Sequence, residues 1–136
     1  MSLVFEAEKV PKKAEFIYDV LLDILNTSSD SKVRAMVVFA LSQLVQVNLS
    51  FSDAVFEKLH TIRLNDGHEI VRMQVVLAAL RLTSIQPLLG KCVDLLERES
   101  AEDPSRSIKI KAIQMLWQKW KIKKLIIFRR CLINMT

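Results

Sequence analysis

Glycine and proline are scarce in this chain, with only two Gly and three Pro among 136 residues. An all-β sandwich or barrel needs many tight turns, and such turns draw mainly on these two residue types. Hydrophobic residues make up 51% of the chain, which is enough for one domain with a real core. The composition therefore excludes a disordered or collagen-like chain and favours an all-α fold.

Cysteine and histidine are also rare, with two residues of each type. Cys92 and Cys131 each stand in an apolar run, which predicts buried and reduced thiols rather than a disulfide framework. His60 and His68 have no second His at the i+3 or i+4 spacing that builds a metal site on a helix. The sequence also lacks a Gly-rich phosphate loop and a G-x-S-x-G motif. We expect no enzymatic activity, no metal or other cofactor, and no small-molecule substrate.

Long uncharged segments are absent as well. The longest one, Ala35 to Ser52, contains six polar residues, whereas a bilayer-spanning helix needs about 20 predominantly apolar residues. The first nine residues include two Glu and no long apolar segment of the kind that a secretory signal requires. We therefore expect an intracellular protein that does not span a membrane.

Positive charge is concentrated near the C-terminus. Residues 1–100 hold 11 basic and 13 acidic residues, a net charge of −2, whereas residues 101–136 hold nine basic and two acidic residues, a net charge of +7. Clustered like charges attract a polyanion or an acidic partner. The candidate contacts are Lys119, Lys121, Lys123, Lys124, Arg129 and Arg130. The alternative is a solvated helix face whose Lys stems cover apolar surface.

Apolar periodicity predicts three helix pairs, preceded by a lead-in over residues 1–13 and followed by a basic and apolar tail over residues 121–136. The pairs are expected near residues 14–47, 52–84 and 88–120. An aliphatic residue followed by a basic one opens the second helix of each pair, at Val33-Arg34, Val71-Arg72 and Ile108-Lys109. These dipeptides are separated by 38 and 37 residues. That spacing is typical of a solenoid of two-helix repeats, which would stack as a right-handed superhelix.

Each break before a second helix contains an Asp, namely Asp30, Asp66 and Asp103. The pattern of a turn Asp followed by an aliphatic-basic pair resembles the HEAT repeat, in which the basic residue pairs with the turn Asp of its own or the adjoining repeat. The resemblance implies that Arg34 and Arg72 belong to a structural ladder with Asp30 and Asp66 as partners. Asp66 and Glu69 also have the spacing of a helix capping box.

Two Trp lie three residues apart in the last predicted helix, at Trp117 and Trp120. Packing in the core or between repeats is the usual role of such a pair. Stacking on nucleic-acid bases, or lining a pocket for a partner peptide, is the alternative.

A narrower resemblance covers the chain from near Ser31 to Leu82. The elements Val55-Phe56-Glu57-Lys58-Leu59 and Ile62-Arg63-Leu64-Asn65-Asp66, followed by Val71-Arg72 and the helix through Leu82, are similar to the N-terminal repeats of the G-type HEAT subunit of condensin. The resemblance implies a non-catalytic regulatory subunit that binds a kleisin segment and duplex DNA during mitotic chromosome condensation. It also implies a protein of the nucleus and chromosomes, and of the cytoplasm.

A second hypothesis stays open beside the condensin-like one. HEAT and armadillo repeats also build protein–protein adaptors in transport, signalling and translation, which bind a peptide or protein without DNA. The residues supply the expected scaffold and its positive charge, and both hypotheses need only these.

Overall fold

The computed structural model describes residues 11–119, and every regular element in this range is helical. Five helices are bounded as α1 Pro11–Thr27, α2 Ser31–Val47, α3 Ser52–Asn65, α4 Glu69–Leu82 and α5 Gln86–Glu102. A sixth helix, α6, covers residues 106–119, and a short 3-10 helix at Leu49–Phe51 joins α2 to α3. The described residues contain no strand, so the expected all-α class is confirmed.

Local chemistry explains where several helices begin. α2 follows Asp30, whose carboxylate accepts the backbone N–H of Lys32 at 2.9 Å and caps the helix. α5 carries Pro87 in its first turn, where a missing N–H removes no helical hydrogen bond. Pro104 lies in the turn before α6. Asp30 and Pro104 thus mark the start of the second helix in the first and third predicted pairs, and Pro87 marks the start of the first helix in the third pair.

The start of α4 differs from the expected capping box. The helix begins after His68, which makes no side-chain capping bond. Asp66 instead accepts the backbone N–H of His68 at 3.0 Å, and the carboxylate of Glu69 accepts the hydroxyl of Ser105 at 2.8 Å. The capping-box prediction is wrong because α4 begins two residues later than the motif requires, with His68 and not Asp66 at the N-cap. Glu69 instead binds Ser105 in the following turn.

Helices adjacent in sequence pack together, and α2 and α3 each also pack against the next helix but one. Among α1 to α5, α2 and α4 form the most extensive contact, and α3 packs against α5. α1 packs on α2, α3 on α4, and α4 on α5. The helices predicted to be second in the first two pairs therefore lie side by side, as do the first helices of the second and third pairs.

One hydrophobic core runs through all six helices. Its largest fully buried side chains are aliphatic: Leu41, Leu44, Leu59, Leu82, Leu88, Leu95, Leu96 and Ile108. Cys92 is buried among them, and burial raises the pKa of its thiol to about 12. The thiol is therefore protonated and serves as a small apolar group, as expected from its sequence context. Cys131 and the predicted tail, residues 121–136, lie outside the described residues.

Candidate interaction surface

The same type of hydrogen bond recurs in the three turns before α2, α4 and α6. In each turn the Asp side chain accepts the backbone N–H two residues further on, from Lys32 to Asp30 at 2.9 Å, His68 to Asp66 at 3.0 Å, and Ser105 to Asp103 at 2.8 Å. This local bond is the Asx turn, which fixes the carboxylate relative to its own backbone. Each second helix therefore begins next to an Asp carboxylate that is held in the same local geometry.

Arg34 on α2 links the first turn to the second. Its Nε donates to Asp66 Oδ2 at 2.9 Å, its Nη2 to Asp66 Oδ1 at 3.3 Å, and its Nη1 to the Ser28 carbonyl at 3.1 Å. His68 Nδ1 lies 3.0 Å from Nη2. Desolvation acts to raise the pKa of Asp66, but the hydrogen bonds from Arg34 and from the His68 backbone outweigh it and lower that pKa. Asp66 is therefore a charged, bidentate partner.

Arg72 on α4 repeats this geometry one turn further along the chain. Its Nε donates to Asp103 Oδ2 at 2.9 Å, its Nη2 lies 3.4 Å from Oδ1, and its Nη1 donates to the Asp66 carbonyl at 3.0 Å. In both links Nη1 binds a carbonyl six residues earlier in the chain, which directs Nε towards the following turn. The carboxylate partners are therefore Asp66 and Asp103. The expected Asp30 partner is replaced, and Asp30 instead caps α2.

A buried ion pair between α3 and α5 was not expected from the sequence. Arg63 Nη1 donates to Glu99 Oε1 at 2.9 Å and to Glu102 Oε2 at 3.2 Å. Arg63 and Glu99 are almost completely buried, whereas Glu102 is exposed. The one available signal is that Arg63 follows Ile62 on the inward side of α3, where a charged residue requires a buried partner.

The Arg63–Glu99 pair continues into the Arg72–Asp103 link. The pKa of Glu99 is raised to about 7, mainly by burial and also by its hydrogen bond with Asp103, while Arg63 acts to lower it. Glu99 Oε2 is buried without a donor nearby, so this carboxyl completes its hydrogen bonding when it is protonated and donates to Asp103. For Asp103, desolvation acts to raise the pKa, but hydrogen bonds from Glu99, Arg72 and the Ser105 backbone lower it. Arg63, Glu99, Asp103 and Arg72 thus form one buried chain of hydrogen-bonded ionisable side chains.

The outer side of α6 is apolar and exposed. Ile108, Ala112 and Met115 are buried on its inner side. On its other side Ile110, Ile113 and Trp117 are 45%, 54% and 64% exposed; we call these three residues the α6 stripe. Trp117 therefore does not pack in the core of residues 11–119, where no helix covers that side of α6, and its packing between repeats stays a prediction.

The charged residues of α6 all carry one sign. Residues 106–119 contain four basic side chains, Arg106, Lys109, Lys111 and Lys119, and no Asp or Glu. Among the predicted polyanion contacts, Lys119 is the last residue that the structure describes. The other contacts, together with Trp120, fall outside the described residues: Lys121, Lys123, Lys124, Arg129 and Arg130. The surface that can be defined is thus the α6 stripe with its basic flanks.

Within residues 11–119, no group of three or more His, Cys, Asp or Glu side chains could hold a metal ion. In that same part of the chain, each helix is too short or too polar to cross a membrane. Comparison of the chain with protein-family models, with curated proteins and with solved structures gives no match.

Proposed function

We propose that this chain is a non-catalytic scaffold of HEAT-like repeats, stacked as a solenoid, that belongs to a chromosome-organising complex resembling condensin. The observation that carries the proposal is the recurring link between consecutive helix pairs. Arg34 binds Asp66, and Arg72 binds Asp103, through the same donor atoms and with the same backbone contact six residues earlier. Repeat proteins are held together by such nearest-neighbour contacts. A scaffold of this kind works by presenting surfaces to partners.

The proposed partners are a kleisin-like protein segment and duplex DNA. The DNA proposal rests on the net charge of +7 in residues 101–136 and on the uniformly basic α6. A protein that neutralises phosphates with Lys and Arg needs only a positive surface, and such contacts position the protein without reading base sequence. We assign the DNA contacts to Lys119, Lys121, Lys123, Lys124, Arg129 and Arg130. The site of action would be the nucleus and its chromosomes.

The alternative function is a HEAT or armadillo adaptor that binds protein without DNA. The exposed α6 stripe favours it, because DNA phosphates gain nothing from apolar side chains, whereas protein interfaces are built around them. The two functions share the scaffold and differ in what the basic C-terminal region binds.

Salt dependence of duplex binding separates the two functions. Fluorescence anisotropy of a labelled 20-base-pair duplex is followed at several salt concentrations, with the full chain and with a variant carrying Lys121→Gln, Lys123→Gln and Lys124→Gln. Each neutralised phosphate contributes roughly −0.9 to the slope of log K against log salt, so the triple variant should have a slope that is flatter by about two to three.

Arg34→Gln is the matched control for this experiment. Arg34 is engaged with Asp66 and the Ser28 carbonyl, so its loss should lower stability and leave the salt slope unchanged. Equal duplex affinity of the triple variant and the parent chain, at low and at physiological salt, would remove the tail as the DNA site and favour the adaptor function.

A further inference from the structure

The α6 stripe occupies helix positions that are covered in the equivalent helix α2. When the aliphatic-basic pairs Val33-Arg34 and Ile108-Lys109 are aligned, Ala35, Val38 and Ser42 of α2 correspond to Ile110, Ile113 and Trp117 of α6. The three α2 side chains are all buried. The corresponding positions of α4, at Met73, Val76 and Leu80, are buried or partly buried. Only in α6 is this side of the helix open.

The helix of the following unit covers this side of α2. Arg81 of α4 donates to Ser42 Oγ at 3.1 Å, and its guanidinium lies 4.4 Å from the centre of the Phe39 ring. α2 and α4 also form the largest contact among helices α1 to α5. The open side of α6 therefore continues an interface that the fold already uses to receive a helix.

Lys109 is the charged residue of α6 that corresponds to the link-forming arginines of α2 and α4. It occupies the position of Arg34 and Arg72, each of which binds the turn Asp of the following unit. Among residues 11–119, no carboxylate lies within ion-pair distance of Lys109. By continuity with the two existing links, Lys109 is placed to bind a carboxylate from whatever covers the stripe.

The charge of α6 distinguishes between the possible occupants. A second copy of this helix would bring four basic side chains against four others, with no acidic residue on either side. Residues 120–136 carry five basic residues and no acidic one, so this segment would also meet like charge on α6. Juxtaposed like charges oppose association. An acidic partner meets no such penalty.

We propose that the α6 stripe binds an acidic amphipathic helix from a partner protein, with apolar side chains on Ile110, Ile113 and Trp117 and a carboxylate on Lys109. Burial of an amphipathic helix against an open apolar face is a common mode of peptide recognition, and Trp is prominent among the residues that dominate such interfaces. The inference rests on the proposed scaffold function, because it identifies the partner class that the third helix pair receives.

Trp117 provides a direct probe of this binding. The full chain with Trp120→Phe keeps Trp117 as its only Trp. It is titrated at physiological salt with a designed helical peptide that has Leu at i, i+3, i+4 and i+7 and Glu at its other positions. A matched peptide replaces every Glu by Lys. The Glu peptide should saturate the chain and shift Trp117 emission to shorter wavelength, and the Lys peptide should bind at least about tenfold more weakly.

Single substitutions then locate the binding surface. Ile113→Ser should weaken binding of the Glu peptide by about tenfold or more, because it removes the central side chain of the stripe. Lys109→Gln should weaken binding a few-fold and reduce its salt dependence. Met36→Ser is the matched control, since Met36 is an exposed apolar residue on α2, away from the stripe. All three side chains are at least partly exposed, so circular dichroism should report an unchanged fold.

Three results would overturn the proposal, each in favour of a different occupant. Trp117 emission already shifted and protected from acrylamide in the free monomer would indicate cover by residues 120–136. A dimer in sedimentation that Ile113→Ser dissociates would indicate a second copy. A 20-base-pair duplex that produces the same Trp117 shift and displaces the Glu peptide would indicate DNA on the stripe.

The test is independent of the DNA proposal. Loss of peptide binding in Ile113→Ser with unchanged duplex affinity would support the helix site and leave the basic tail to DNA. Failure of the chain to bind duplex, with peptide binding intact, would refute the DNA function alone. Equal binding of the Glu and Lys peptides, or no effect of Ile113→Ser, would refute the helix site alone.

Discussion

At the scale of single residues, breaking a buried ion pair destabilises the fold more than breaking an exposed one. Arg63, Glu99, Arg72 and Asp103 are removed from water, and separating any one from its partners leaves an uncompensated charge in the core. The exposed pair Arg98–Asp94, by contrast, has both side chains half in solvent and contributes little.

Because of Glu99, we expect the stability of the folded chain to fall as the pH rises. The pKa of Glu99 is about 7 in the folded chain and near 4.3 in an unfolded one. Between these values the folded chain holds a proton that the unfolded chain has released. The stabilisation is thus fully present below the unfolded pKa and is lost as pH rises through about 7. We expect the free energy of unfolding to fall by on the order of 1–3 kcal/mol between pH 5 and 8.

Glu99→Gln should flatten this dependence, because an amide still donates to Asp103 and accepts from Arg63 but does not titrate. Urea denaturation at pH 5, 6, 7 and 8 measures the effect, and the difference between variant and parent cancels the other titrating groups. Glu102→Gln is the control, since Glu102 also binds Arg63 but is exposed. Parallel pH profiles for Glu99→Gln and the parent chain would contradict the assignment. Asp66 and Asp103, whose pKa values are lowered, act at more acid pH and with the opposite sign.

At the scale of helices, equivalent positions in α2, α4 and α6 differ in how completely they are covered. Leu41 of α2 is fully buried, whereas Leu80 of α4 is only partly buried on the side of the helix equivalent to the α6 stripe. The sequence alone predicts equal shielding for both, because both stand in strongly apolar helices. Burial therefore decreases from α2 to α6 on this side, as more neighbouring helices cover the earlier members of the series.

Leucine truncations test this gradient. Leu41→Ala should destabilise the chain by roughly 2–5 kcal/mol, the range for a fully buried Leu, and Leu80→Ala by about half as much. Leu64→Ala, at an exposed position on α3, is the control and should cost less than about 0.5 kcal/mol. Chemical denaturation gives all three values. A loss at Leu80 as large as that at Leu41 would show that α6 covers α4 more fully than the exposed fractions indicate.

At the scale of the whole molecule, the Arg–Asp links connect each helix pair to the next. Arg34 connects the first pair to the second, and Arg72 connects the second to the third. In a chain stabilised by nearest-neighbour contacts, loss of one link should affect mainly the units that it joins. The link at Arg72 also holds the turn that leads into α6, and so controls how the stripe is presented.

Arg72→Met is the whole-molecule prediction. It should raise amide hydrogen exchange in α6 and in the turn at Asp103 more than in α1 and α2, because the third pair loses its buried link. Arg98→Met removes an exposed ion pair and should leave exchange unchanged. Exchange that rises equally in every helix would indicate a single cooperative unit instead of coupled repeats.

The sequence by itself determined the class of this protein and most of its helices. Scarce Gly and Pro, apolar periodicity and the turn Asp residues are local signals, and each acts through propensity or through hydrogen bonds within a few residues. The helix boundaries near Asp30 and Pro104 follow from such signals. The capping-box prediction at Asp66 and Glu69 failed because α4 begins two residues later than the motif requires, and local signals do not fix a helix start to within one or two residues.

Only the tertiary structure decided which charges meet and which surface stays open. Arg72 lies nearer in sequence to Asp66, yet it pairs with Asp103, because the orientation of one helix against the next directs its guanidinium. Arg63 and Glu99 are 36 residues apart, and neither residue carries a local signal for the other. The stripe of Ile110, Ile113 and Trp117 has the sequence of a buried face, and it is exposed because no described helix follows α6 on that side. Periodicity identifies a face that can be buried, whereas burial itself requires a neighbouring element to cover it.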